Sequence, residues 1–192
     1  MITVDPDSSR RRLRLRVAAK LMVYLAFAGI VYVFVSALMS GDGKVPDVPS
    51  MRVDISQLQP GDIEFVNWQN RPIVIYRRTD GDIEQLGVLA QRLLDANSVS
   101  SEQPMGLNND FRSRVPEWFV AIGLGTGQGC TVELLPASDE LFQREAWPGG
   151  FIDSCGKDRY DFAGRVIDGQ YATRNLTVPL YSIEENTLIL GR

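Results

Sequence analysis

The chain of 192 residues contains no histidine. That absence removes a Ser-His-Asp triad, an imidazole proton shuttle, a His-ligated zinc and a His-ligated haem from consideration. Cysteine is nearly absent too, with Cys130 and Cys155 the only two. In an exported domain such a pair suggests a disulfide, the alternative being two buried free thiols. Positive charge is scarce beyond the first forty residues. Arg10, Arg11, Arg12, Arg14, Arg16 and Lys20 precede residue 41 against only Asp5 and Asp7, whereas the remainder carries 14 basic and 22 acidic residues, a net charge of −8. A nucleic-acid backbone would be repelled by that portion, so no nucleic-acid partner is expected. Internal repeats are absent as well.

The chain does carry one long apolar run. Residues 21–39 hold no charge, and as a helix their length of about 28 Å matches a bilayer core. A cleaved signal peptide is the alternative, but it needs a shorter run and a small-residue cleavage site, and Ser36-Ala37-Leu38 is a poor one. The reading is therefore a retained transmembrane helix over 21–39. The basic residues of segment 1–20 keep it cytoplasmic and send the C-terminal domain across the membrane. Ser9-Arg10-Arg11-Arg12-Leu13 loosely fits a twin-arginine export signal, or it only sets topology and meets anionic lipid.

Residues 40–50 contain two glycines and two prolines and read as a flexible tether. Short strands follow. Segments 51–55, 63–68 and 73–76 alternate or run apolar, with turns at Gln59-Pro60-Gly61-Asp62 and Asn70-Arg71-Pro72. Ile83, Leu86, Leu89, Ala90, Leu93 and Leu94 have helical spacing over 82–94. Segment 118–122 predicts a buried strand before a glycine-rich loop, and segments 176–181 and 187–190 predict the closing strands.

Several stretches resemble one family in order. Val53-Asp54-Ile55-Ser56-Gln57-Leu58-Gln59-Pro60-Gly61 is similar to the first strand of bacterial Rieske iron–sulfur subunits of quinol–cytochrome c reductase, the cytochrome bc1 complex. Arg71-Pro72-Ile73-Val74-Ile75-Tyr76-Arg77-Arg78-Thr79 resembles their next hairpin. Asn108-Asn109-Asp110-Phe111-Arg112-Ser113 and Pro116-Glu117-Trp118-Phe119-Val120 resemble the approach to the cluster loops. Arg159-Tyr160-Asp161-Phe162-Ala163-Gly164-Arg165-Val166 and Asn175-Leu176-Thr177-Val178-Pro179 match beyond them. The resemblance implies an all-β, antiparallel Rieske-type domain over 51–192 with a small helical insertion, preceded by one transmembrane helix. It also implies a tip subdomain over about 121–171 and a periplasmic location at a bacterial inner membrane.

The family holds a [2Fe–2S] cluster between a Cys-Thr-His-x-Gly-Cys loop and a Cys-Pro-Cys-His-Gly-Ser loop. In each loop the first Cys and the His bind iron, and the remaining cysteines form a disulfide. The matching stretches here are Gly125-Thr126-Gly127-Gln128-Gly129-Cys130 and Asp153-Ser154-Cys155-Gly156-Lys157-Asp158. The resemblance thus puts Gly125, Gly127, Asp153 and Gly156 at the four ligand positions and keeps Cys130 and Cys155 as the disulfide pair. Two thiolates and two imidazoles are required, so no cofactor and no metal site are expected. Tyr160 stands where the family's Tyr donates to a cluster thiolate, and Asp158 replaces its Ser donor. Tyr171 and Thr173 replace prolines of the cover loop. Asp158, Tyr160 and Tyr171 are candidates for a rebuilt contact surface at the tip, and Lys157 for an ion pair with Asp153 or Asp158.

Other motifs weigh less. The glycines of 123–129 lack the helix and acidic residue of a nucleotide-binding loop. Asp153, Asp158 and Asp161 lack calcium-loop spacing and read as a solvated acidic surface. Trp118 and Trp147 read as core or edge residues. No catalytic residue is assigned. The function expected is a non-redox accessory or structural subunit beside cytochrome b and cytochrome c1 subunits or other respiratory-chain proteins. Alternatives are a membrane-tethered assembly or regulatory module, or the electron-transfer subunit that family membership by itself would suggest.

Overall fold

The computed structural model describes residues 6–39, 49–135, 147–155 and 157–192. The chain divides into two compact units, residues 1–48 and 49–192. Nearly all of the predicted tether (40–48) and the ligand position Gly156 lie outside the described residues.

The first unit holds helix α1, Pro6–Met39. Its stretch Arg11–Ser36 is long and apolar enough to cross a membrane, by length and composition. The helix begins well before the apolar run because Arg, Leu, Ala and Lys are all good helix formers.

Among the described residues the second unit holds three antiparallel three-stranded sheets. Strand β1 (Met51–Asp54) pairs with β9 (Thr187–Leu190), and β9 pairs with β8 (Tyr181–Glu184). Strands β2 (Ile63–Trp68), β3 (Arg71–Arg77) and β4 (Trp118–Ile122) form the second sheet. The third, at the tip, joins β5 (Val132–Leu135), β6 (Gly150–Asp153) and β7 (Arg159–Tyr160). The fold is thus all-β and antiparallel, with little helix in this unit. The β2–β3 turn uses Gln69 (φ 51°) and Asn70 (φ 62°), both left-handed, as a two-residue hairpin whose twist matches the strands requires.

Strand β3 is central, so Ile73, Val74, Ile75 and Tyr76 are buried in succession rather than alternately. They pack with Phe119, Val120, Phe151, Phe162, Leu176, Leu188 and Leu190 in one core. A smaller cluster joins Leu89, Trp147, Ile152 and Ile167. Trp118 is buried as well, so both tryptophans singled out are core residues.

Two predicted elements are corrected. Helical spacing over 82–94 yields helix α2 only over Asp80–Gln85 and a 3-10 turn over Ala90–Arg92. Thr79 starts α2 with a capping box: its hydroxyl accepts the Asp82 N–H, and Asp82 accepts the Thr79 N–H. Gly87 follows the helix, and beyond it the apolar side chains go separate ways. Leu86 joins the main core and Leu89 the smaller one. Segment 176–181 is likewise no strand before Tyr181. Its groups are shared among unrelated partners, with Leu176 donating to Gly164, Val178 to Glu102, and Thr177 accepting from Ile122. No single neighbour runs alongside it long enough to form a ladder.

Buried arginines stitch the loops to this core. Arg78 donates to the carbonyls of Phe162, Pro116 and Phe111. Arg112, at φ 48°, donates to Ala163, Gly164 and Leu176. Burial pulls both guanidinium pKa values down to about 10, opposed by the nearby Asp161 carboxylate. Both remain charged at neutral pH, compensated by these carbonyl oxygens. Arg165 pairs with Asp161 at 2.7 Å inside the same network.

Candidate functional site: the rebuilt tip

Three loops meet at the tip. The first, between β4 and β5, closes on itself: Gly125 donates to Cys130 at 2.7 Å and Gly129 donates back to Gly125 at 2.9 Å. The second, between β6 and β7, is folded around Asp153. The Asp153 carboxylate accepts the backbone N–H groups of Cys155 (3.2 Å) and Lys157 (2.8 Å). Lys157 takes a left-handed φ of 61° to allow this. Its contact with Asp153 is therefore made by the backbone. Ser154 donates to Thr131 across the two loops, and the Cys130–Cys155 disulfide ties them covalently.

The third loop, residues 170–174, is clasped by Asp158. One carboxylate oxygen accepts from Tyr171 N–H at 2.9 Å and the other from Ala172 N–H at 3.0 Å. Gln170 closes the loop from the other side, accepting from the Arg159 N–H and donating to the carbonyls of Arg159 and Ile167. Tyr160 joins the first loop to the third. Its hydroxyl accepts the Thr126 N–H at 2.9 Å and lies 3.1 Å from the Thr126 hydroxyl. The Thr126 hydroxyl donates its one proton to the Arg174 carbonyl, so Tyr160 donates to Thr126 in return. Burial pushes the Tyr160 pKa up, with the Thr126 hydrogen bonds opposing.

These positions correct one expectation and divide another. Asp153, Asp158 and Asp161 do not form a solvated surface: they are 0%, 2% and 1% exposed. Backbone N–H groups and Arg165 supply what water would otherwise supply. Of the three proposed contact residues, Tyr171 is 69% exposed, whereas Asp158 and Tyr160 are buried and turned inward to hold the loops. The clasp on Tyr171 and Ala172 was not read from the sequence. Its one signal is an acceptor-only side chain followed, at a loop's distance, by a segment that has lost its prolines.

The glycines show what these carboxylates occupy. A Cβ at Gly125 would lie 2.9 Å from Asp153 Cβ and 3.0 Å from its Oδ2. A Cβ at Gly127 would overlap Asp158 Oδ2 and sit 3.0 Å from the Tyr171 ring. The side-chain volume at both positions is therefore filled by the two aspartates.

No protein-family model matches the chain. Among curated proteins, the ubiquinol–cytochrome c reductase iron–sulfur subunit of Allochromatium vinosum is 32% identical over 186 residues, 95% of this chain and 89% of that one. The chain belongs to the Rieske iron–sulfur subunit family of ubiquinol–cytochrome c reductase. The mitochondrial cytochrome b-c1 complex subunit Rieske of Solanum tuberosum is 35% identical over 159 residues, 80% of this chain and 51% of that protein. The chain thus spans about half the length of this mitochondrial relative. A solved chain of a hyperthermophilic respiratory Complex III aligns with 90% of this chain and 98% of its own, at 16% identity and a TM-score of 0.43.

A Rieske cluster asks for two thiolates on one iron and two imidazoles on the other. This member of the family contains no histidine, and its only two cysteines are bonded to each other. The space beside Gly125 and Gly127 is taken by carboxylates already bonded to backbone N–H groups. The residues present do not fit the cluster.

Proposed function

We propose that this Rieske-family chain is a non-redox accessory or structural subunit associated with the cytochrome bc1 complex or a respiratory supercomplex. One observation carries the reading. The carboxylates of Asp153 and Asp158 fill the side-chain space at Gly125 and Gly127, so the tip is held by carboxylate clasps and a disulfide where its relatives' names imply iron and sulfur. Gly125, Gly127, Asp153 and Gly156 are the former ligand positions in this reading. Helix α1 anchors the chain in the inner membrane. The arginines in its N-terminal part, before the apolar run, hold the N-terminus in the cytoplasm, which leaves the domain periplasmic. Cytochrome b and cytochrome c1 subunits are the partners this family membership suggests, and Tyr171 is an exposed tip side chain available to a contact.

The test is mild-detergent purification of the tagged full-length chain from its native membranes, with iron analysis, haem spectra and identification of companion chains. The expected result is stoichiometric b- and c-type haem together with a chain that, isolated further, holds no iron. A stoichiometric reduced [2Fe–2S] resonance from the isolated chain would refute the non-redox assignment. A haem-free preparation with other companions would refute the association and leave the membrane-tethered assembly or regulatory module instead.

A further inference from the structure

A cleft of about 220 Å³ opens beside the rebuilt tip, between the first loop, the third loop and the β2–β3 hairpin. Its apolar wall is Ile122 and Leu124, and its charged lining is Arg71, Arg174 and Glu102. The backbone under each charged residue is held. Arg71 opens β3 in register with Trp68. Glu102 accepts the Val178 N–H through its carbonyl. Arg174 accepts the Thr126 hydroxyl through its own. The charged ends are not held. Among the described residues none of the three makes a side-chain hydrogen bond or ion pair, although opposite charges line the same small space. Arg78, Arg112 and Arg165, by contrast, are buried and direct guanidinium N–H groups to oxygens within the domain.

From this arrangement we propose that the cleft binds a small zwitterion, its phosphate or carboxylate between Arg71 and Arg174 and its ammonium at Glu102. Guanidinium forks bind such oxyanions through paired, charge-assisted hydrogen bonds. Two cations alone would favour a dianion. The carboxylate in the same cleft instead favours a ligand that brings its own cation. The volume lies below the range of drug-sized sites, which limits the ligand to a few heavy atoms or to the headgroup of a larger molecule. The site uses none of the former ligand positions' side chains, so it stands whether or not the accessory-subunit reading does.

The probe is O-phosphoethanolamine, titrated against the full-length chain in detergent and followed by ³¹P NMR, with inorganic phosphate as comparison. Saturable binding tighter for phosphoethanolamine than for phosphate is expected. Arg71→Gln and Arg174→Gln should each weaken it about tenfold or more. Glu102→Gln should remove the preference by weakening phosphoethanolamine and strengthening phosphate. Arg52→Gln, on β1 and paired with Glu184, should change nothing. All these side chains are exposed, so the urea midpoint should stay at the wild-type value and report intact folding. Nanodiscs separate two sources of the ligand. If a lipid supplies the headgroup, adding phosphatidylethanolamine to phosphatidylcholine discs weakens probe binding. If the ligand is a free molecule, it does not. Absence of saturable binding, equal binding of phosphate, or indifference to both arginine substitutions would overturn the proposal.

Discussion

If Asp158 holds the tip, Asp158→Ala and Gly127→Ala should not behave as independent changes. Removing the carboxylate strips the acceptor from the N–H groups of Tyr171 and Ala172. Ala172 is fully buried, whereas Tyr171 is exposed enough for water to replace the lost bond. One unsatisfied buried N–H and one weakened bond cost about 3 kcal/mol, after allowing for relief of the carboxylate's own desolvation. Gly127→Ala alone drives a methyl group into Asp158 Oδ2 and towards the Tyr171 ring, an overpacking cost of about 2 kcal/mol. Together they should cost about 3 kcal/mol rather than 5, because the carboxylate removed is the group the methyl strikes. The coupling of about 2 kcal/mol is large for a contacting pair and absent for independent sites. Urea unfolding of the four proteins, followed by tryptophan fluorescence in mild detergent, measures the cycle. Amide exchange at Tyr171 and Ala172 reads the clasp directly and should quicken in Asp158→Ala. Costs that add within about 0.5 kcal/mol would refute the view that the aspartate fills the side-chain space at position 127.

Three other outcomes can be measured on the same protein. Replacing both Cys130 and Cys155 by serine should lower stability by about 3 kcal/mol, read from the urea midpoint, since their separation of 25 residues closes a substantial loop. Gly164→Ala should cost about 3 kcal/mol by the same assay, because φ is +66° and the new Cβ would lie 2.6 Å from Phe119 Cζ. Tyr76→Phe should show a pH-dependent cost. Burial and then the Asp82 hydrogen bond and charge raise the Tyr76 pKa, against the pull of Arg78. The folded state therefore keeps its proton at a pH where the unfolded state has lost it, and wild-type stability from this group is complete below the ordinary tyrosine value of 10.0 and lost above it. The cost of the substitution should be constant from pH 7 to 9 and then shrink by roughly 1.4 kcal/mol per pH unit. A cost that stays level or grows above pH 10 would contradict the assignment.

Much of the sheet was legible because its signals are local. Segment 63–68 and the apolar 73–76 and 118–122 stretches announce strands through β-branched and aromatic residues bounded by turns, and they fall within β2, β3 and β4. Segment 176–181 has the same composition, yet its hydrogen bonds go to Gly164, Glu102 and Ile122. Nothing in those six residues encodes partners so far apart in the chain. The 82–94 pattern failed for a related reason: its apolar spacing reports burial, and burial here is against two different clusters.

The absence of histidine and the presence of just two cysteines are properties of the sequence alone, and they decide by donor chemistry that a two-thiolate, two-imidazole cluster is not accommodated. The sequence likewise carries the family resemblance, the apolar run of α1 and strands β1 to β4 and β9. What only the tertiary structure decided is where the acidic residues go. Carboxylates are ordinarily surface groups, and local spacing gives no reason to bury Asp153 or Asp158. They are buried because loops distant in sequence bring backbone N–H groups to Asp158, and a left-handed Lys157 brings one to Asp153. The free energy of satisfying a buried charge depends on that meeting of segments, which exists only once the chain has folded.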